Sequence, residues 1–147
     1  LAGLGSRVLY TGLNPGAFDT HANQPVALSK LWSDVSVAIG DIYQDLKEHE
    51  ASEEVVFLMF TEFGRRVQEN GSGTDHGSGS VAFVIGDQVE GGLYGEYPSL
   101  EPDKLDQGDL RWNNDFRSTY ATLLEKWMGL DSKPILRDAY EQFDFIK

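Results

Sequence analysis

The stretch VVFLMF at residues 55–60 is a short, continuous run of apolar side chains. Its length and lack of polar alternation are typical of a central strand that is buried on both faces of a sheet. The run follows a helix pattern in which apolar side chains recur every three or four positions from Leu28 to Leu46. Before that helix, RVLYTGL at residues 7–13 is rich in β-formers and ends at the turn signal Asn14-Pro15-Gly16. It therefore predicts a first strand.

Strand, helix and strand in this order predict a βαβ unit with parallel strands and a right-handed crossover. Val81–Ile85 predicts a third strand, and residues 61–80 between the strands are rich in glycine and polar groups. A second helix is expected to begin near residues 113–115 and to end at Gly129. No internal repeat is present. We expect one α/β domain over residues 1–147.

Composition limits the kinds of partner that this chain can bind. The net charge of −12, from 24 acidic and 12 basic residues, repels phosphate backbones and anionic membranes, which argues against nucleic-acid binding. No apolar run approaches the roughly 20 residues that a membrane span needs. The absence of cysteine excludes disulfides, thiolate metal sites and a cysteine nucleophile.

Polar clusters flank the predicted strands. Asp19-Thr20-His21 follows the first strand, and the segment 61–66, with Glu62 and Arg65, follows the buried strand. Because parallel strands end at one edge of a sheet, these two clusters should face one crevice. The third cluster, Gly73–Gly77 with Asp75 and His76, joins them if the third strand runs antiparallel to the others.

Two histidines and three carboxylates are a ligand set suited to divalent cations. We expect Zn²⁺ or Mn²⁺, with Mg²⁺ as a third choice. The predicted metal ligands are Asp19, His21, Glu62, Asp75 and His76.

Each ligand assignment has a structural alternative. Asp19 could cap the turn after Gly16, Asp75-His76 could be an ordinary exposed turn, and Glu62 with Arg65 could form a structural ion pair. His49, near the end of the long helix, is expected to be a surface residue.

Four stretches, in this order along the chain, resemble the C-terminal part of the bacterial domain-of-unknown-function family 1501, whose members are often labelled sulfatase-like. They are GAFDTHANQ (16–24), FTEFGRRVQENGSGTDHGSGSVAFVIG (60–86), GGLYGEYPSL (91–100) and DFRSTYATLLEKWMG (115–129).

That family in turn is similar to the alkaline phosphatase superfamily. This second resemblance implies a three-layer α/β/α fold with a mixed, mostly parallel sheet, of which the chain would be the C-terminal fragment. It also implies a metal held by Asp19, His21 and His76, with Glu62-Phe63 where the superfamily has an Asp-His pair for a second metal. Arg65 and Arg66 would then bind an anionic substrate.

The resemblance implies hydrolysis of a small phosphate or sulfate ester by the intact protein. The nucleophile and a further metal-binding Asp would lie in an N-terminal part that precedes this chain, so no catalytic nucleophile is assigned here. Family members are usually exported by the twin-arginine route, which implies a periplasmic or extracellular location, although the chain shows no signal peptide. A homodimer could cover the sheet edge that such a fragment exposes.

Two other readings compete with a metal-dependent hydrolase. The chain could be a non-catalytic binding or structural module that keeps a degenerate metal site, as Phe63 suggests. It could also be an interaction protein without a site, in which case Asp19, His21 and His76 would lie more than about 8 Å apart, too far to share one ion.

Overall fold

The computed structural model describes residues 3, 5–12 and 16–147. Its longest element is helix α1, Gln24–Glu48. The predicted helix is confirmed: Asn23 is the N-cap residue, although its side chain makes no capping hydrogen bond, and Pro25 stands in the first turn, where its missing N–H costs nothing. A single 3₁₀ turn, Ser52–Glu54, connects α1 to the first strand.

The strands form two small antiparallel sheets. β1 (Phe57–Met59) pairs with β4 (Phe83–Ile85), and β2 (Gly64–Glu69) pairs with β3 (Thr74–Gly77) as a hairpin. The hairpin occupies the stretch that the sequence predicted as glycine-rich connection. Gly64 allows two backbone segments to come into direct contact, because a Cβ at this position would overlap the carbonyl of Gly79.

The C-terminal third is helical at its centre. Helix α2, Phe116–Thr122, continues as a π-helical segment, Leu123–Trp127, and α3 is Lys133–Leu136. A further 3₁₀ turn, Pro102–Lys104, lies in the preceding loop. The predicted helix start is confirmed, since Asp115 is the N-cap and its side chain accepts a hydrogen bond from the backbone N–H of Arg117. The predicted end is also confirmed by Gly129, whose φ of 66° is a glycine-favouring conformation.

The predicted three-layer fold with a mostly parallel sheet is wrong, because every strand pair in the described residues is antiparallel. Residues 7–12 form no strand, and Val8, Leu9 and Tyr10 are exposed. The rest of that prediction, residues 13–15, lies outside the described residues. Since residues 7–12 form no strand, the described part of the chain contains no βαβ crossover. The apolar run at 55–60 therefore gains one neighbour, β4, and stays half-exposed.

Little apolar surface is fully buried. The chain exposes 10669 Å², against about 7,500 Å² for a compact monomer of this length. Among the described residues, the buried apolar side chains are those of Val35, Ala121 and Phe145. Of the apolar positions that define α1, Trp32 and Ile42 are exposed. Periodicity thus located the helix correctly, but the described residues do not form the mostly parallel sheet that was expected to cover its apolar face.

No helix among the described residues is both long and apolar enough to cross a bilayer.

Candidate metal centre

Asp19, His21 and His76 come together at one exposed point of the molecule. Nε2 of His76 lies 2.6 Å from Oδ1 of Asp19, and Nε2 of His21 lies 3.0 Å from the same oxygen. The two imidazole rings are 4.9 Å apart between centroids. One nitrogen or oxygen from each side chain lies within 4.8 Å of the others. This cluster rules out the alternative in which the three side chains lie far apart.

The β2–β3 hairpin positions His76. Its cross-strand partner is Arg65 on β2. The ring of Phe63 stacks on the imidazole with 3.6 Å between centroids and 15° between planes. The Arg65 guanidinium lies 5.2 Å from the centroid of the same Phe63 ring. Strand pairing fixes the backbone of His76, and ring stacking restricts its side chain.

The turn of the hairpin holds the segment that carries Asp19 and His21. The hydroxyl of Ser72 accepts from the backbone N–H of Asn23 at 3.1 Å, and its carbonyl accepts from that of Gln24 at 2.9 Å. Gly73 packs directly on the backbone of His21, where a Cβ would come within 2.6 Å of the carbonyl. Only glycine permits this approach without displacing one of the two segments.

The electrostatics of the cluster centre on Asp19. The hydrogen bond from His76 is the largest influence and lowers the pKa of Asp19. Burial opposes it, and the charges of His76 and His21 lower the pKa further. The three side chains are 42–46% exposed. The carboxylate is therefore ionised at neutral pH and accessible from solvent, as a ligand for a cation must be.

The donor set fits a zinc-type ion. Two imidazole nitrogens and a carboxylate oxygen match the three protein ligands of hydrolytic zinc sites, in which a fourth position stays open. Ligands of one ion with bonds of about 2.1 Å are at most about 4.2 Å apart. Since the donor atoms already lie within 4.8 Å of one another, small side-chain rotations would bring them into range.

Of the two other predicted carboxylate ligands, Asp75 lies beside the cluster and Glu62 lies outside it. Oδ1 of Asp75 lies 3.6 Å from Nδ1 of His21, and it accepts a hydrogen bond from Asn70 at 2.8 Å. Glu62 is exposed and does not belong to the group of mutually close ligand atoms, nor does it form an ion pair with Arg65 in the described part of the chain. Direct ligation by Asp75 and Glu62 stays a prediction.

Both predicted substrate-binding arginines are engaged within the protein. Arg65 is half-buried and donates to the backbone carbonyls of Phe18 at 2.6 Å and Thr74 at 2.8 Å. Arg66 forms an ion pair with Asp109 at 3.2 Å and donates to the carbonyl of Gln107. These contacts give Arg65 a structural role beside the site. Substrate binding by either residue stays a prediction.

Two residues that contribute to the site had no such role assigned from sequence. Phe63 was noted only as standing in place of a histidine, yet its ring stacks on His76. Gln24 was given no part in the site, yet its side chain is buried and bonded to both ligand-bearing segments. No periodicity or motif signals a buried glutamine, so only the position of its partners could have indicated it.

Fold and site together describe a chain with two small antiparallel sheets, a long helix and an exposed Asp-His-His cluster. The family model described as Protein of unknown function (DUF1501) matches residues 3–137. The chain belongs to this family, which confirms the family resemblance seen in the sequence. No curated protein and no solved structure was found to match the chain.

Proposed function

We propose that Asp19, His21 and His76 bind one divalent metal ion, zinc or manganese, as the metal-binding part of a hydrolytic site. The observation that carries this proposal is the convergence of two imidazoles on one carboxylate oxygen, at 2.6 and 3.0 Å, from segments that are remote in sequence. Such a cluster brings two imidazoles and a carboxylate to solvent, where an ion and a substrate can both reach them.

Asp75 is placed to orient His21 once an ion is bound. In the ion-free structure Nε2 of His21 faces Oδ1 of Asp19 at 3.0 Å, and a bound ion would replace that contact. The carboxylate of Asp75 lies 3.6 Å from Nδ1 on the other side of the ring, where it can accept the remaining imidazole proton. Phe63 restricts the His76 ring by stacking. Asp19 supplies the negative charge that offsets the charge of a cation. A bound cation would polarise an ester oxygen and stabilise the negative charge that develops during hydrolysis.

The substrate class rests on the family resemblance. We propose a small phosphate or sulfate monoester as the substrate of the intact protein, with the nucleophile supplied from outside this chain. An anionic ester can approach a chain with net charge −12 only where a cation reverses the local field, and the proposed metal would do so.

A non-catalytic binding or structural module is the second candidate. The stacking of Phe63 on His76 favours it, because an aromatic ring stands where a second metal site would need a ligand. The engagement of Arg65 with two backbone carbonyls also favours it, because this guanidinium is then less available to an anion. In this case the cluster would bind metal without supporting ester hydrolysis.

Metal analysis separates these possibilities. The purified chain should carry or take up about one equivalent of zinc or manganese, and His21→Ala/His76→Ala should lose it. His49→Ala is the matched control, because His49 lies at the end of α1 beside Asp45 and outside the cluster. Equal metal content in the double variant and the wild type would refute metal binding by the cluster. A screen with phosphate and sulfate monoesters, on this chain and on a longer protein that includes it, then tests hydrolysis.

A further inference from the structure

The cluster depends on two chain segments that lie far apart in sequence. Asp19 and His21 lie in a loop before α1, whereas His76 lies on β3, 57 positions beyond Asp19. An exposed loop without cross-links would sample many positions relative to a strand, and in most of them the three donor atoms would be too far apart to share an ion. The contacts between the two segments therefore determine whether the three donor atoms stay together.

Gln24 has the environment of a residue that links these segments. It is the first residue of α1 and only 8% exposed, in a chain where few side chains are buried. Burying a primary amide is unfavourable unless its polar atoms are bonded. Gln24 meets that requirement, since its Nε2 donates to the carbonyl and the hydroxyl of Thr20, both at 3.1 Å, and its Oε1 accepts from the hydroxyl of Thr74 at 2.9 Å.

The partners of this amide lie directly beside the candidate ligands. Thr20 stands between Asp19 and His21, and Thr74 is two positions before His76 on the same strand. The hydrogen bond to Thr74 is therefore made to the strand that carries His76. One side-chain amide thus joins the loop of two ligands to the strand of the third.

We infer that Gln24 is a positioning residue of the metal centre, which holds the Asp19–His21 loop against β3 through Thr20 and Thr74. This inference rests on the proposed metal-binding function. It assigns Gln24 no contact with the ion and no part in chemistry. Its effect is to keep the donor atoms in place before an ion binds, which lowers the ordering cost of binding.

The test compares Gln24→Met with Gln44→Met. Methionine has a similar length and no amide. Gln44 is a matched control because it is exposed on the same helix and its amide donates to Glu48 of that helix. Zinc affinity, measured by competition with a chromophoric chelator, should fall about 10-fold in Gln24→Met, as for other outer-shell partners. Gln44→Met should stay within about twofold of wild type.

A second readout needs no metal. In the metal-free wild type, NMR of the imidazole nitrogens should show the Nε2 proton of His76 hydrogen-bonded to Asp19, and Gln24→Met should move this signal toward that of the exposed His49. Unchanged affinity and unchanged imidazole signals in folded Gln24→Met would overturn the inference. Absence of zinc binding by the wild type would instead refute the proposed function, while the NMR comparison would still test Gln24.

Thr74→Val is a second variant that tests the role of Gln24 if Gln24→Met does not fold. It removes the one hydroxyl that donates to Oε1 of Gln24 and leaves the strand backbone intact. The inference predicts weaker zinc binding and the same displacement of the His76 signal. Wild-type behaviour of folded Thr74→Val in both measurements would contradict it.

Discussion

Nε2 of His76 lies 2.6 Å from Oδ1 of Asp19, although 57 positions separate the two residues along the chain. The same carboxylate oxygen lies 3.0 Å from Nε2 of His21. Both imidazoles thus contact the same carboxylate oxygen. This relationship makes Asp19 the centre of the cluster and the residue whose charge matters most to it.

Asp19→Asn tests that central charge. Asparagine has nearly the same shape, but it is neutral and a poorer ligand for zinc. Zinc affinity, measured by isothermal titration calorimetry, should fall at least about 10-fold, which is the loss that even outer-shell partners cause. Retention of wild-type affinity by Asp19→Asn would show that the ion binds elsewhere.

Gly73→Ala should disturb the contact between the hairpin and the loop of His21. The added Cβ would meet the His21 carbonyl at 2.6 Å, and such overpacking typically costs about 1–3 kcal/mol of stability. We expect weaker zinc binding together with a lower urea midpoint. Gly40→Ala is the matched control, because Gly40 lies within α1 with open space around it, and this change should stabilise the chain by up to about 1 kcal/mol.

Arg65→Lys tests whether Arg65 acts structurally. Its planar guanidinium donates to the carbonyls of Phe18 and Thr74 at once, which a lysine ammonium cannot reproduce with the same geometry. Loss of a charged hydrogen bond should lower the free energy of unfolding by about 1.5–3 kcal/mol.

The control for this change is Arg66→Lys, since the ion pair of Arg66 with Asp109 is partly exposed and should contribute less than about 1 kcal/mol. If Arg65→Lys unfolds at the wild-type urea concentration, the structural role is refuted, and the predicted substrate-binding role gains support.

Asp115→Ala should reduce stability in a pH-dependent way. The side chain of Asp115 caps α2 and binds Arg117 at 2.6 and 2.9 Å, and removing such a cap costs about 1 kcal/mol. The hydrogen bond from Arg117 lowers the pKa of Asp115 below its ordinary value of 3.8. The contribution of the charged form is therefore complete above pH 3.8 and is lost as the pH falls through the lowered pKa.

Urea unfolding of wild type and Asp115→Ala at neutral pH and near pH 3 measures this difference. The free energies of unfolding of the two proteins should differ most at neutral pH and should approach one another in acid. Asp115→Asn, which keeps a good cap without the charge, should lie between them at neutral pH. A difference in unfolding free energy between wild type and Asp115→Ala that grows as the pH falls would contradict the assigned contacts.

Helix α1 and the cap of α2 could be predicted from sequence because both depend on local rules. Apolar spacing located the first helix, and a start near residues 113–115 with an end at Gly129 bounded the second. The sheet could not be predicted in this way. The apolar run at 55–60 carries no information on its partners, and the assumption of a parallel neighbour at residues 7–13 produced the wrong architecture.

The cluster of Asp19, His21 and His76 was predicted through an incorrect sheet. We expected strand ends at one edge to bring the residues together. In the structure a β-hairpin brings His76 to a loop, aided by the close approach of Gly73. The condition attached to His76, that the third strand runs antiparallel, is met with respect to β1 by its pairing with β4, although the sheet in which it was framed does not form. Gln24 was missed because the role of a buried amide depends on partners far along the chain.

Zinc-edge X-ray absorption of the zinc-loaded chain tests the metal-centre account most directly. The account predicts the multiple-scattering pattern of two imidazoles, with nitrogens at about 2.0–2.1 Å, and loss of that pattern in His21→Ala/His76→Ala. A spectrum with oxygen neighbours only, or one identical in the wild type and the double variant, would contradict it.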